Sequence, residues 1–597
     1  MDIFSVLSLI GGLALFLCGM NTMGDGLVKL SGGKLEGILE RLTSNRIMAL
    51  LTGAMVTAVI QSSSATTVMV VGFVNSGIMQ LGQAVGIIMG ANVGTTITSW
   101  LLSLTGIQGT SMVMQLLKPS SFSPVLAAIG IILTMTAKDN NKKKDTGGIL
   151  LGFAILMFGM ETMSEAVAPL ADNEAFTSIL VTFSNPILGM IAGAVLTAVI
   201  QSSSASVGIL QALCATGAVG YSTAIPIIMG QNIGTCVTAL ISSVGASRNA
   251  RRASMIHLYF NVIGTVMFMV VFYSINKFVD FAFMDTNVNP AGIAIIHSLF
   301  NVGCALVLFP FANVLVKLAK ISVPDNEEEK NEDELPQRLM ALDERFLDSP
   351  AFAMNLSRTA VEEMAVLATD SFSKALNNMK NYSADTVEEI KRTEELIDKY
   401  DDIIGSYLVK LSGGDLKVDD SRSMSVLLHC INDFERISDH ARNMAENAEE
   451  MKEKGITLSD ECLRDMDVFF GAIEEILDIT VKSFKENDYE LAKHVEPLED
   501  TIDALCLEMK NRHVIRLRTG ECSLFTGMYY EDIVTDAERV SDHCSNVAIY
   551  LIEIKQGEFD PHKYLEEIKD TEDRWFKKKA KEYKVKYALP DNGKEVV

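Results

Sequence analysis

The sequence predicts an all-α chain in two parts. The first is a polytopic membrane part built from two inverted repeats with re-entrant hairpins. The second is a soluble pair of three-helix bundles. Three observations predict this. Mean hydropathy is +0.24 over 597 residues, yet residues 1 to about 320 are apolar and Gly-rich while the rest is dense in charge. Motifs of the apolar part recur at an offset of 140 residues, and a motif of the charged part recurs at 103.

Taken in chain order, Ile3 to Met20 is an apolar run with no basic leader and no evident cleavage site, so it reads as a retained helix. Further runs at 83–104, 122–137, 147–163, 222–243, 254–273 and 291–316 approach or reach the roughly 20 residues that span a bilayer. They follow one another without a polar face, which argues against a soluble core. Residues 1–320 therefore form the membrane part, with repeat one at 1–140, repeat two at 141–280 and an extra span at 291–316. An acidic, Pro-bounded linker follows at 321–340, then a helical domain at 341–560 and a charged tail at 561–597. The formal net charge of −24 comes mostly from the second half and gives no reason to expect nucleic acid. The nine cysteines form no CxxC pair, so free thiols are expected.

The 140-residue offset joins three motifs. "TAVIQSSSA" runs from Thr57 and again from Thr197, "MGANVGTTIT" at Met89 matches "MGQNIGTCVT" at Met229, and "GMNTM" at Gly19 matches "GMETM" at Gly159. Basic residues then orient the copies. Lys29, Lys34, Arg41 and Arg46 follow the first span, Lys138, Lys142, Lys143 and Lys144 form the 138–147 loop, and Arg248, Arg251 and Arg252 follow later. The equivalent loop from Ser164 to Asn185 has no Lys or Arg. By the positive-inside rule, equivalent loops face opposite sides. The count closes if each Gln-Ser-Ser-Ser segment is the tip of a hairpin that enters and leaves on one side. The N-terminus then lies outside and the charged C-terminal domain inside.

Polar backbone at membrane depth survives only where protein or a cavity covers it. Broken helices present N–H groups and a partial positive charge to an anion. Hydroxyls add donors, while Gln, Asn and backbone oxygens suit a hard cation such as Na⁺. Neither motif holds Lys or Arg, so an anion there depends on dipoles, hydroxyls and co-bound cations. The competing reading is that small polar residues pack helices closely. The paired occurrence of both motifs favours a binding site.

"QSSSATT" and "QSSSAS", each followed by a GxNxGT segment, resemble the type II sodium–phosphate cotransporter family over roughly residues 1–320. The resemblance implies sodium-coupled transport of inorganic phosphate, with Na⁺ as coupling ion. Its substrate and sodium region would be Gln61, Ser62, Ser63, Ser64 and Thr66 with Gln201, Ser202, Ser203, Ser204 and Ser206. Asn92, Thr95, Asn232 and Thr235 carry over from the second motif. No acidic sodium ligand of the kind found in charge-moving members stands in these segments. "HLYFN" at His257 and "HSLFN" at His297 form a smaller echo, read either as functional or as interhelical hydrogen-bond partners.

In the charged half, apolar residues recur at helical spacing through 355–380, 386–412, 421–453, 460–486, 489–518 and 523–554. "DFERISDHARN" at Asp433 returns as "DAERVSDHCSN" at Asp536, which makes two three-helix bundles. Glu435 and Asp439 share a helix face with Asp433 nearby, and Glu538, Asp542 and Asp536 repeat the arrangement. Such carboxylates suit a metal ion, or simply a solvated face paired with Arg436 and Arg539. This signature resembles the PhoU family. The resemblance implies carboxylate clusters for iron, zinc or manganese, His440 and His543 as lesser ligands, and phosphate-signalling proteins as partners; it leaves a homodimer open. The basic stretch Arg574 to Lys586 is open to lipid or to solvent. No P-loop or nucleophile–base signature points to an enzyme. A non-transporting phosphate sensor in the cytoplasmic membrane, or a transporter of another small anion, are the alternatives to a phosphate transporter.

Overall fold

The computed structural model describes residues 3–31, 45–106, 118–137, 141–170, 173, 181–215, 217–324, 336–347, 349–414, 416, 418–556 and 574–590. They divide into two compact units, Met1–Phe352 and Ala353–Val597, and all named elements among them are helical.

The first unit begins with α1 (Ile3–Ser31), α2 (Arg46–Ile60), α3 (Ser63–Asn75), α4 (Leu81–Ser103) and α5 (Pro119–Thr136). It continues with α6 (Asn141–Val167), α7 (Pro186–Ile200), α8 (Ser203–Cys214), α9 (Tyr221–Gly234), α10 (Cys236–Ser242), α11 (Arg248–Val279), α12 (Pro290–Leu308) and α13 (Ala312–Ser322). Among the described residues, six helical stretches are long and apolar enough to cross a membrane. Apolar side chains left outside the unit, such as Met135, Val199, Phe278 and Leu306, are more than 70% exposed, as a lipid-facing surface requires. The 138–147 stretch, expected as a loop, is already helical from Asn141; the remainder lies outside the described residues.

The 140-residue repeat is visible as structure. Helices α2, α3 and α4 start at 46, 63 and 81, and α7, α8 and α9 start at 186, 203 and 221. Gln61 and Gln201 share a left-handed backbone, at φ 61° and 59°. Glycines let neighbouring helices approach closely. A Cβ at Gly90 would lie 2.0 Å from Leu50 O, and one at Gly230 would lie 1.9 Å from Met190 O. Gly86 and Gly94 similarly face Arg46 and Ala54, so α2 and α4 run parallel. A chain that goes up α2 and up α4 must come back between them, and α3 is that return. Helix α2 has 15 residues, roughly 22 Å, which is too short to cross a hydrocarbon core of about 30 Å. The α2–α3 and α7–α8 pairs are therefore hairpins. By contrast α1 and α6 run antiparallel: Gly19 faces Leu156 and Gly159 faces Phe16.

The second unit holds α14 (Pro350–Lys380), α15 (Ala384–Ser412), α16 (Val418–Glu453), α17 (Asp460–Glu486), α18 (Val495–Thr519), α19 (Leu524–Gln556) and α20 (Arg574–Lys586). The first of these starts three residues before the unit boundary. These helices repeat at 103 residues as two three-helix bundles. The basic α20 does not stand open to lipid or solvent throughout. Tyr587 is buried and donates to Gly471 O (3.3 Å), Lys586 pairs with Glu475 (2.8 Å), and the Trp575 ring meets His494 edge-on. All nine cysteines are free.

Candidate functional site

Each hairpin tip is built the same way. Helix α2 ends at Gln61, whose backbone N–H returns to Thr57 O; α7 ends likewise at Gln201 on Thr197 O. A non-Gly residue in this conformation is uncommon and marks a constrained position. The next serine starts the return helix. Ser62 Oγ accepts from Ala65 N (3.1 Å) and Ser202 Oγ from Ala205 N (3.2 Å). The first serine of each triplet is thus a helix cap. Ser63 and Ser203, both buried, and Ser64 and Ser204 occupy the first turn. There, backbone N–H groups have no intrahelical partner and the helix dipole favours an anion.

The amides behave uniformly. Asn92 Nδ2 donates to Ile88 O (2.9 Å) and Asn232 Nδ2 to Ile228 O (3.0 Å). Thr95 Oγ1 donates to Ala91 O and Thr235 Oγ1 to Gln231 O, both at 3.0 Å. Gln61 Nε2 donates to Ala58 O and leaves Oε1 buried without a partner. These side chains spend a donor hydrogen on their own helix, and the Gln61 oxygen is left without a partner. Thr66 differs. Its hydroxyl receives Thr57 Oγ1 (3.0 Å) and donates to Ser62 O (3.0 Å), so it staples the hairpin closed. The equivalent Ser206 Oγ is buried and unpartnered. Gln201 is exposed where Gln61 is buried, so the two half-sites are not in the same state.

The hairpins cross between repeats. Return helix α8 packs on α4, where Gln211 Nε2 donates to Ser99 O (3.0 Å) and to Pro290 O (3.1 Å). Return helix α3 packs on α10. Sequence reading missed Gln211, and nothing in the repeat signals it, because position 71 holds Val. The rings of His257 and His297 are buried with neither nitrogen hydrogen-bonded, while Asn261 Nδ2 reaches Cys236 Sγ at 3.3 Å.

In the second unit the four motif aspartates separate into two kinds, and the two glutamates stand apart from both. Asp433 accepts from His543 Nδ1 and Asp536 from His440 Nδ1, each at 2.8 Å, and the two imidazoles lie 5.8 Å apart. These pairs exchange under the 103-residue offset and tie one bundle to the other. Asp439 instead joins Glu394 and Asp398, and Asp542 joins Glu499 and Asp503; oxygen atoms within each group lie within 4.8 Å of one another. The α15 and α18 members were missed by sequence reading, since they stand tens of residues away from the motif. Burial, then the neighbouring Asp439, pushes Glu435 up to about 7. Burial also raises Asp398, with Asp439 adding to it, and raises Asp542, with Glu538 adding to it. Glu538 accepts from Lys510 (3.1 Å) and Cys506 (3.0 Å).

Comparison with known proteins follows this division. A family model described as Na+/Pi-cotransporter matches residues 15–165 and 155–285, and a PhoU domain model matches 361–448 and 469–551. A Salmonella typhimurium protein provisionally named inorganic phosphate export protein YjbB is 24% identical over 558 residues, covering 92% of this chain and 98% of its own. The protein YqeW of Bacillus subtilis is 31% identical over 312 residues, 52% of this chain and 95% of its own. Sodium-dependent phosphate transport protein 2A of Rattus norvegicus is 35% identical over 99 residues, 16% of this chain and 15% of its own.

Proposed function

We propose that this chain, which belongs to the Na+/Pi-cotransporter family and carries PhoU domains behind it, moves inorganic phosphate across the cytoplasmic membrane together with sodium. Its C-terminal unit lies in the cytoplasm and regulates the flux. The observation that carries this reading is the duplicated hairpin tip: left-handed Gln, capping Ser, and two further Ser on an open helix start, at 61–64 and again at 201–204. Half-helix N–H groups and the Ser63 and Ser203 hydroxyls take the anion. The Gln, Asn and Thr oxygens take Na⁺, and the cation completes a site that has no Lys or Arg. Anion affinity then depends on sodium, which is the coupling a symporter needs. Inverted repeats let each half-site face one side in turn. Net direction follows the combined sodium and phosphate gradients, so the same site serves import or export.

The Glu394–Asp398–Asp439 and Glu499–Asp503–Asp542 groups fit a metal ion, and Glu435 is electrostatically coupled to Asp439 and Asp398 of the first. Their all-carboxylate donors favour manganese or another hard cation over zinc. Phosphate-signalling proteins, or a second copy of the chain, dock on the C-terminal unit.

The test is uptake of radiolabelled phosphate into proteoliposomes with and without a sodium gradient. Ser63→Ala or Ser203→Ala removes a hydrogen bond to a charged ligand, worth roughly 1.5–3 kcal/mol. Half-saturation should move on the order of 10- to 100-fold. Phosphate binding without sodium-dependent flux would indicate a sensor instead, and intact uptake with alanine throughout one Gln-Ser-Ser-Ser segment would leave these serines as packing residues.

A further inference from the structure

A cavity of about 70 Å³ opens in the second bundle of the C-terminal unit, between the heads of α17 and α19 and the tail of α18. Its floor is polar. Arg516 and His513 are 2% and 3% exposed, both line the cavity, and Arg516 Nη2 and His513 Nε2 have no hydrogen-bond partner. Leaving such groups buried and unpaired is costly, most of all for a charged one, so a ligand that pairs them is favoured. The other face of the Arg516 guanidinium lies over the Tyr530 ring at 5.5 Å, which holds it in place.

The surroundings select the sign of a ligand. Arg516 and Arg512 share the one buried carboxylate of Asp465, at 3.1 and 3.0 Å, and Arg512 turns its other end to the half-exposed Glu508 (2.7 Å). Two 27- and 33-residue helices begin at the rim. Ser459 Oγ caps α17 through Cys462 N (3.3 Å), and Ser523 Oγ accepts from Thr526 N (3.0 Å) at the head of α19. Hydroxyls, helix starts and a free guanidinium nitrogen together make an oxyanion cradle. The volume matches about two liquid waters of roughly 30 Å³ each, enough for a tetrahedral oxyanion but not a nucleotide. Glu521 also lines the cavity. A carboxylate there disfavours a fully ionised anion and accepts a hydrogen bond from an anion that carries its own proton. Phosphate has such a proton at neutral pH and sulfate does not. By the 103-residue offset, His513 and Arg516 correspond to Lys410 and Gly413, so the first bundle has no counterpart.

We propose that this cavity is a second inorganic phosphate site, distinct from the membrane hairpins, through which the C-terminal unit senses the anion directly. The site itself stands on its own geometry, and only the choice of phosphate as the physiological anion rests on the proposed transport function. Cys522 lines the cavity and is half-buried, so its thiol reports occupancy. In purified full-length protein, the rate of Cys522 alkylation, followed by peptide mass spectrometry, is expected to fall several-fold with inorganic phosphate relative to potassium chloride of equal ionic strength. Sulfate is expected to protect less. The same protection is expected in the Ser63→Ala/Ser203→Ala double variant, which separates this site from the transport site. Arg516→Gln should abolish protection. Thr526→Val, which leaves the buried ion pair intact, should raise the phosphate concentration for half protection roughly 10-fold. Protection that is absent in the native chain, equal with sulfate, lost only in the hairpin double variant, or unchanged in Thr526→Val would overturn the proposal.

Discussion

Gln61 and Gln201 set the problem at the scale of a residue. A side chain in the left-handed region costs about 1–2 kcal/mol relative to glycine, yet this chain uses glutamine there twice. A purely structural turn would be better served by Gly, so the amide must contribute something else. Gln61→Gly and Gln201→Gly are expected to leave the melting temperature of the membrane unit unchanged or raised, while sodium-dependent uptake falls. Uptake that survives in both variants would reduce the glutamines to turn residues. Glu435 poses a different question. Its carboxyl is held up to about 7 by burial and by Asp439, whereas the unfolded chain releases that proton in the ordinary carboxylate range. Between those values the folded state holds the extra proton, so stability falls as pH rises through that window. Melting of the full-length protein between pH 5 and 8 should show this slope, and Glu435→Gln should flatten it. An unchanged slope would place the pH dependence elsewhere. The motif was legible at this scale, since Gln-Ser-Ser-Ser repeats in plain sight. Its division of labour was not, because only backbone geometry distinguishes the capping Ser62 from Ser63.

At the scale of elements, packing rests on glycines that let backbones meet. A methyl group at Gly90 or Gly230 would collide with a backbone carbonyl, at 2.0 and 1.9 Å, and neither carbonyl can rotate away. Overpacking of this kind typically costs 1–3 kcal/mol. Gly90→Ala and Gly230→Ala should lower the yield of monodisperse protein and its melting temperature. Gly148→Ala, with nothing within 4 Å of the added carbon, should be neutral or mildly stabilising. If all three behave alike, the hairpin packing is looser than the geometry states. Helix positions in both units follow from apolar periodicity, which is local. Partner choice is not local, and this is why the carboxylate groups were only half visible in sequence. Asp439 and Asp542 stand in the repeated motif, but Glu394, Asp398, Glu499 and Asp503 come from other helices. Asp439→Asn with Asp542→Asn should therefore remove bound manganese or iron from the purified chain, read by elemental analysis. Glu435→Ala with Glu538→Ala should remove less, and the reverse order would return the ligand role to the motif glutamates.

Over the whole molecule, one chain has been built twice from duplicated halves, at offsets of 140 and 103 residues. The two duplications differ in what they do. In the C-terminal unit the halves exchange His440–Asp536 for His543–Asp433, so duplication builds a symmetric cross-tie. In the membrane unit the equivalent helices α1 and α6 run antiparallel, and their close approaches also exchange: Gly159 on Phe16 N at 2.3 Å, Gly19 on Leu156 N at 2.2 Å. In the proposed topology, a two-fold axis relating these antiparallel spans lies in the membrane plane and turns the second copy over. The charge asymmetry of the loops points the same way, from an independent source. Asn141 begins α6 beside the basic cluster, and Asn173 follows α6 in the stretch with no Lys or Arg. One apolar helix separates them, with a window long enough to span the membrane. In a cysteine-less background, Asn173→Cys should therefore react with a membrane-impermeant thiol reagent applied outside intact cells. Asn141→Cys should react only after permeabilisation. Labelling of both from the same side would mean that α6 does not cross, and with it the inverted relation of the two hairpins, and the alternating exposure of their serines, would fail.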